Sequence, residues 1–314
     1  MTAIGAVDIG GTKIAVGMVD DAGQVLAKME APSQSAGTWV EARRLIAGML
    51  CKTAQTANRS IAGIGIGSTG PVDPISGYFG NLDTLPQWSG ATIVDDLADE
   101  FHVPVALEND ADAGALGEAY WGAGTGKTRL VYVTIGTGIG GGIILDGQLY
   151  RGAGGAHPEV AHQVIDVHGP ACSCGLNGCW ESLASGPAMA RWMESQPEYT
   201  GDSELTARRI YELAQSGDPL AARAVARESF YLGIGLANLV NLFTPDAIVL
   251  SGSIMKSAAR YLQDIYRVMQ RGCRFVPLDK AELRLTSLGE DANLIGAARV
   301  WHHRFRTIEP GMQK

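Results

Sequence analysis

One succession of strands and turns occurs twice in this chain. Near the amino terminus it reads "IGAVDI", a Gly-Gly-Thr turn, "KIAVGMVD", a turn at Asp21-Ala22-Gly23, then "QVLAKMEA". Far downstream it reads "LVYVTI", the turn "GTGIGG", "GIILD", a turn at Asp146-Gly147, and "QLYRG". Apolar runs of strand length bounded by Gly, Asp and Thr predict antiparallel strands joined by hairpins. Two copies of one meander predict an internal duplication of structure.

The segments between and after the copies alternate in type. Helix periodicity runs through "WVEARRLIAGMLCKTAQTA" and through "ATIVDDLADEF", where Ile93, Val94, Leu97 and Phe101 share one side. The apolar runs "IAGIGIG" and "VPVALEN" predict strands. Later, "SELTARRIYELAQ" stops at Ser216-Gly217, and Asp218-Pro219 offer an N-cap and a first-turn proline to "LAARAVARESFYLGIGLANLVNLF". That helix is apolar nearly all round towards its end, which predicts burial, and it leads into the strand "DAIVLSGSI". Strands alternating with helices in two related halves predict a two-lobed α/β protein with a cleft between the lobes. The lobes are expected at 1–117, with a C-terminal helix at about 294–314 packing back on it, and at 118–293.

The chain's 314 residues, 46% hydrophobic, are enough for two medium cores. A net charge of −8 argues against a nucleic-acid groove or an anionic membrane as partner, because both need a basic patch. The start "MTAIGAVDIGGTK" has no basic n-region, and "YLGIGLANLVNLF" is too short to span a bilayer, so a cytoplasmic location is expected.

Three glycine-rich strand ends stand out: "DIGGTK" with Asp8, "TIGTGIGGG", and "LSGSI". Glycines at such tips leave backbone N–H groups uncovered, and a run of these suits phosphate oxygens. One such loop alone reads as an ordinary hairpin; three after apolar strands point to nucleotide binding. Neither a GxxxxGK[ST] nor a strand-to-helix GxGxxG pattern is present. Asp8 has two readings, a turn-forming Asp or a carboxylate that orients a magnesium ion through water. In "LENDADAGALGE", Asn109 and Asp110 stand at a strand end before a helix. N-capping is the bland role there; the functional one is a general base for phosphoryl transfer, with Asp110 the first candidate and Asp112 the competitor.

Three of the five cysteines fall in "CSCGLNGC", ten residues after His162. An odd cysteine count in a reducing compartment argues against a disulfide framework. His162, Cys172, Cys174 and Cys179 form an N/S ligand set that matches a closed, structural zinc site, with His168 as a substitute ligand. Trp180 reads as a packing residue. Glu159 and Glu181 flank the loop as acceptors for sugar hydroxyls, held stiff by the metal.

These residues resemble the ROK sugar kinases, which have the duplicated actin-like, or ribonuclease H-like, ATPase fold. The resemblance runs from "DIGGTK" through "GIGSTGPVDP", "ENDADAGALGE", "TIGTGIGGGIILDG" and "HPEVAHQVIDVHGPACSCGLNGCWESLASG" to "AIVLSGSI"; the His-x9-Cys-x-Cys-x4-Cys spacing is its most specific part. It implies sugar binding by Asn109, Asp110, Glu159, His162 and Glu181, with Asp110 as catalytic base. It implies phosphate loops at Gly10-Gly11-Thr12-Lys13 and Thr137-Gly138, an adenosine-side turn at Gly252, and ATP, Mg2+ and structural Zn2+ as cofactors. Family members are often dimers or tetramers, so a homo-oligomer is expected.

The chain departs from the common family pattern in several places. Glu-Val-Ala-His stands for Glu-x-Gly-His, His157-Pro158 precede it as in fructokinase-like members, and Asp112 stands where Asn is frequent. Ser68-Thr69-Gly70 and "CSCG" resemble N-acetylmannosamine kinases. The expected activity is phosphorylation of the C6 hydroxyl of a hexose or N-acetylhexosamine, leaning to N-acetylmannosamine or glucose. The alternatives are a fructokinase-like enzyme and a sugar-responsive regulator without catalysis; against the latter, Asp8 lies too near the amino terminus for a preceding helix-turn-helix, and the chain is acidic.

Overall fold

The computed structural model describes residues 2–82, 84–201 and 205–305. The first half of the chain contains β1 (Thr2–Ile9), β2 (Lys13–Val19), β3 (Val25–Pro32), α1 (Trp39–Ala57), β4 (Ser60–Ser68), the short β5 (Val72–Asp73) and β6 (Tyr78–Phe79), α2 (Ile93–Phe101), β7 (Val105–Asn109) and α3 (Asp110–Trp121). Then follow β8 (Leu130–Ile135), β9 (Ile139–Leu145), β10 (Gln148–Leu149), α4 (Trp180–Ala184), α5 (Gly186–Glu194), α6 (Ala207–Gln215) and α7 (Pro219–Phe243). The chain continues with β11 (Ala247–Ser251), α8 (Met255–Ala258), α9 (Leu262–Gly272), β12 (Glu282–Leu285) and α10 (Ala292–Phe305).

The first sheet has the order β3-β2-β1-β4-β7 and the second β10-β9-β8-β11-β12, so the duplication read from the sequence is present strand for strand. In the first, β1 pairs antiparallel with β2 and parallel with β4, which pairs parallel with β7. In the second, β11 runs parallel to both β8 and β12, and β9 and β10 form a hairpin. The second meander differs from its expected limits. β9 begins at Ile139, because the turn closes within Gly136–Gly138 by a 2.9 Å bond from the Gly136 N–H to the Gly138 carbonyl. The expected strand "QLYRG" shrinks to Gln148–Leu149.

Contacts divide the chain into two compact units: Met1–Thr128 with Gly142–Pro158 and Thr286–Lys314, and Arg129–Gly141 with Glu159–Leu285. In the first, one face of the sheet packs on α1 and α2 around the buried Ile46, Leu50, Trp88 and Leu97. α1 starts with the Thr38–Glu41 cap pair, in which the Glu41 carboxylate accepts the Thr38 N–H at 2.7 Å and the Thr38 hydroxyl at 2.9 Å. On the other face lies α10, which also crosses α3 so closely that a Cβ on Gly296 would come within 2.1 Å of the Ala113 carbonyl oxygen. Only glycine permits that crossing. The remainder of the expected C-terminal helix, 306–314, and Ser203 and Glu204 of the expected helix before α7, lie outside the described residues.

The second unit buries α7 among α4, α5, α6 and α9. Asp218 caps α7 through a 2.8 Å bond from the Ala221 N–H, as its Asp-Pro start predicts. Burial along its apolar end is not complete: Phe230 and Leu242 are 47% and 74% exposed. Among the described residues no helix is long and apolar enough to cross a membrane.

Candidate active site and metal centre

Parallel pairing sets the first group of residues. Because Ile9 stands opposite Ser68, and Ser68 opposite Asn109, the strand ends carrying Asp8, Ser68–Gly70 and Asn109–Asp110 form one row along the sheet. The Gly10 loop leaves this row in a tight turn: the Gly10 N–H donates to Lys13 O at 2.9 Å, and the Ser33 hydroxyl donates to Gly10 O at 2.6 Å. Thr12 and Lys13 are exposed at its tip, with the Lys13 ammonium 2.9 Å from Glu30.

Asn109 performs the bland role foreseen for it. Its side-chain oxygen accepts the Ala111 N–H at 2.8 Å as the N-cap of α3, while a Cβ on Gly70 would lie 3.2 Å from its amide nitrogen. Asp110, the first residue of α3, accepts the same N–H at 2.9 Å and is partly buried. Burial, with the negative charge of Asp110 next in weight, pushes Asp8 up from its ordinary range to about 7. Two acids crowded in this way make a place where a divalent cation is welcome, and a magnesium ion with its water shell fits the oxygen-only donors.

Asp112 is turned inward. It is fully buried, and its Oδ2 stands 2.9 Å from Nδ1 of His157.

The second unit holds the other glycine loops. The turn at Thr137–Gly138 and the turn after β11 open on a cavity of about 960 Å³ that reaches α5 and α6. Gly252 sits there at φ +96°, where a Cβ would strike the Ile135 backbone, so that position is closed to other residues. Three cations on the cavity wall, Arg191, Arg208 and Lys256, were not singled out from sequence. They occur on amphipathic helices as ordinary surface cations do, and no spacing marks them.

Glu181, on α4, is brought to the Thr137–Gly138 turn: its Oε2 accepts the Ile139 N–H at 2.8 Å. Glu159 is exposed, just ahead of the single helical turn that carries His162.

The cysteine loop is compact. The ligand atoms of His162, Cys172, Cys174 and Cys179 all lie within 4.8 Å of one another, with His162 Nδ1 to Cys172 Sγ and Cys174 Sγ to Cys179 Sγ both at 3.4 Å. Four donors about 2–2.3 Å from a tetrahedral ion stand roughly 3.5–3.8 Å apart, so one zinc fits with little adjustment. His168 is outside the cluster; its backbone N–H donates to Asp166. Burial pushes the Cys179 thiol up to about 12, and the neighbouring thiols add to the shift. Trp180 is fully buried against Gly235, a packing residue as read from the sequence.

The sequence profile of one family, the ROK family, matches residues 4–304 of the chain. The chain belongs to the ROK family. This ROK protein is 32% identical to the glucokinase of Halalkalibacterium halodurans, over 97% of this chain and 96% of that one. It matches the structure of a ROK family glucokinase from Streptomyces griseus, solved in complex with glucose and AMPPNP, with a TM-score of 0.79 and 32% identity across 94% and 98% of the two chains. It also matches the xylose repressor of Bacillus subtilis at 36% identity, over 68% of this chain and 54% of the repressor. The fold is thus the actin-like two-lobe α/β fold of ROK sugar kinases.

Proposed function

We propose that this ROK protein is a cytoplasmic, ATP-dependent sugar kinase that transfers the γ-phosphoryl group to the C6 hydroxyl of a hexose or N-acetylhexosamine, with glucose and N-acetylmannosamine the leading substrates. The observation that carries the reading is the row of strand ends that sets Asp8 beside Asp110, with the Asp110 charge bearing on the Asp8 carboxyl. Phosphoryl transfer needs positioning, charge neutralisation and a carboxylate to receive the hydroxyl proton.

Asp110 takes the proton of the C6 hydroxyl as that oxygen attacks the γ-phosphorus; the bond to the β-phosphate oxygen breaks and ADP leaves. Asn109, Glu159, His162 and Glu181 orient the sugar. The Gly10-Gly11-Thr12-Lys13 and Thr137-Gly138 turns offer N–H groups to the phosphates. The cavity beside Gly252 is large enough for the adenosine of ATP, and its three cations suit an anionic nucleotide. Asp8 would hold hydrated Mg2+, which neutralises phosphate charge. His162, Cys172, Cys174 and Cys179 would hold a structural zinc, whose contribution is folding energy for the loop.

A coupled ADP-release assay over glucose, mannose, fructose, N-acetylmannosamine and N-acetylglucosamine tests the reading. ADP formation that depends on one of these sugars supports it, and no sugar phosphate from any of them rejects it. The likeness to a xylose repressor favours a second reading, a sugar-responsive regulator. DNA retained in a low-salt gel shift, together with no turnover, would select that reading. The expected homo-oligomer, a dimer or tetramer, is checked by sedimentation.

A further inference from the structure

The turn that begins α3 is held on three sides within the first unit. On one side it meets β4, where a Cβ on Gly67 would lie 3.0 Å from the Ala113 Cβ and 3.6 Å from the Asp110 Cα. On another it meets β9, where a Cβ on Gly142 would come within 2.6 Å of the Ala111 carbonyl oxygen and 3.0 Å of the Asp112 Cα. Backbone therefore touches backbone around Asp110–Ala113, and a small displacement of this turn has nowhere to go.

The third side is ionic. Glu108, just before Asn109–Asp110, forms a two-pronged pair with Arg151; Asp112, just after, pairs with His157. The two pairs bracket the proposed base and tie one segment, 151–157, to both ends of it. The Asp112 carboxylate is 1% exposed and the His157 ring 13%. A carboxylate so placed is costly unless a cation or donor faces it, and removing only that partner leaves an uncompensated charge. Arg151, paired with Glu108, bears on the Asp112 carboxylate through its charge, whereas Nδ1 of His157 stands 2.9 Å from it. Pro158 alone separates His157 from Glu159 in the chain.

We infer that His157 is a positioning residue for the phosphoryl-transfer reaction: by compensating the buried Asp112 carboxylate it fixes the first turn of α3, and so the direction in which Asp110 meets the sugar hydroxyl. The inference rests on the kinase reading. His157 touches neither substrate nor reacting atom in this role. Misplacement of a base by a fraction of an ångström lowers turnover strongly while ground-state binding of the nucleotide, which uses other turns, is left alone.

The test is a double-mutant cycle on the full-length protein with Asp112→Asn, His157→Gln and both together, read as kcat, KM for ATP and melting temperature. His157→Gln is expected to lower kcat at least tenfold with KM for ATP within about twofold of wild type, because it orphans the buried charge. Adding Asp112→Asn should restore kcat severalfold, because it removes that charge, so the double variant outperforms the single one. Additive losses, or His157→Gln with kcat within twofold of wild type, overturn the positioning role. A lowered melting temperature with unchanged kcat also overturns it, since the pair would then act on stability alone. Wild-type protein inactive on every sugar rejects the kinase reading itself and the role with it, an outcome distinct from failure of the variants of an active enzyme.

Discussion

Glu181 Oε2 accepts the Ile139 N–H at 2.8 Å, so the helix that follows the cysteine loop is fastened to the turn proposed to hold phosphate. The residue assigned to the sugar thus also shapes the nucleotide side. Glu181→Ala should raise KM for ATP as well as for sugar, by roughly tenfold if a charged hydrogen bond of about 1.5 kcal/mol is lost. Glu181→Gln keeps an acceptor for Ile139 and should spare ATP while still weakening sugar binding. Equal KM for ATP in wild type and the alanine variant would remove Glu181 from the phosphate turn.

Asp8 makes a stability prediction with a definite sign. Its folded pKa of about 7 lies above its ordinary 3.8, so the ionised form is penalised only in the folded state. Stability that it allows at low pH is therefore lost as pH rises from about 4 through 7, by an amount on the order of 4 kcal/mol. Asp8→Asn should raise the melting temperature at pH 8, leave it nearly unchanged at pH 4, and abolish phosphoryl transfer. Magnesium-nucleotide should stabilise wild type more than the variant at pH 8. A variant that melts below wild type at pH 8 would show that the Asp8 charge is not a burden.

His303, on α10, has the opposite sign. Burial first, and the charges of Arg151, Arg299 and Arg304 next, hold its pKa down to about 4 from 6.5. The folded protein thus keeps it neutral while the unfolded chain takes up a proton, and stability falls as pH drops from 6.5 to 4, by about 3 kcal/mol. Urea unfolding of His303→Gln between pH 7 and pH 4 should show a flatter acid limb than wild type. Parallel acid limbs would exclude His303 as the group responsible.

The cysteine loop predicts about one zinc per chain by elemental analysis if the four donors close a single site. Stripping the metal should lower the melting temperature and expose the buried Trp180, which follows the ligand Cys179, as a red shift in fluorescence. Cys179→Ser should reproduce both effects, and Cys51→Ser, a change at an exposed cysteine remote in sequence from the loop, should reproduce neither. Protein that is purified under reducing conditions, active and metal-free would refute the assignment.

Local signals made much of this legible before the fold. The start of α7 follows from Asp218-Pro219, because an N-cap and a first-turn proline are written in adjacent residues. The four donors of the cysteine loop lie within 18 positions, so spacing alone groups them. Pairings made by tertiary structure were not legible. Asp112 and His157 are far apart in sequence and neither carries a spacing signal, and Arg191, Arg208 and Lys256 meet at one cavity only because α5, α6 and α8 are folded together. The start of β9 differs from the sequence reading for a related reason: its glycines look like turn residues, yet they are strand positions, and Gly142 among them is kept bare by the approach of α3.

The central claim is that Asp110 removes the proton from a sugar hydroxyl. Asp110→Asn, compared with wild type in a quenched-flow ADP assay and in calorimetric titration with the best sugar of the panel, tests it most directly. The account predicts sugar affinity within a few-fold of wild type and turnover lower by about 10²–10⁴-fold, the range for loss of a general base. Turnover within tenfold of wild type, with sugar still bound, would contradict it.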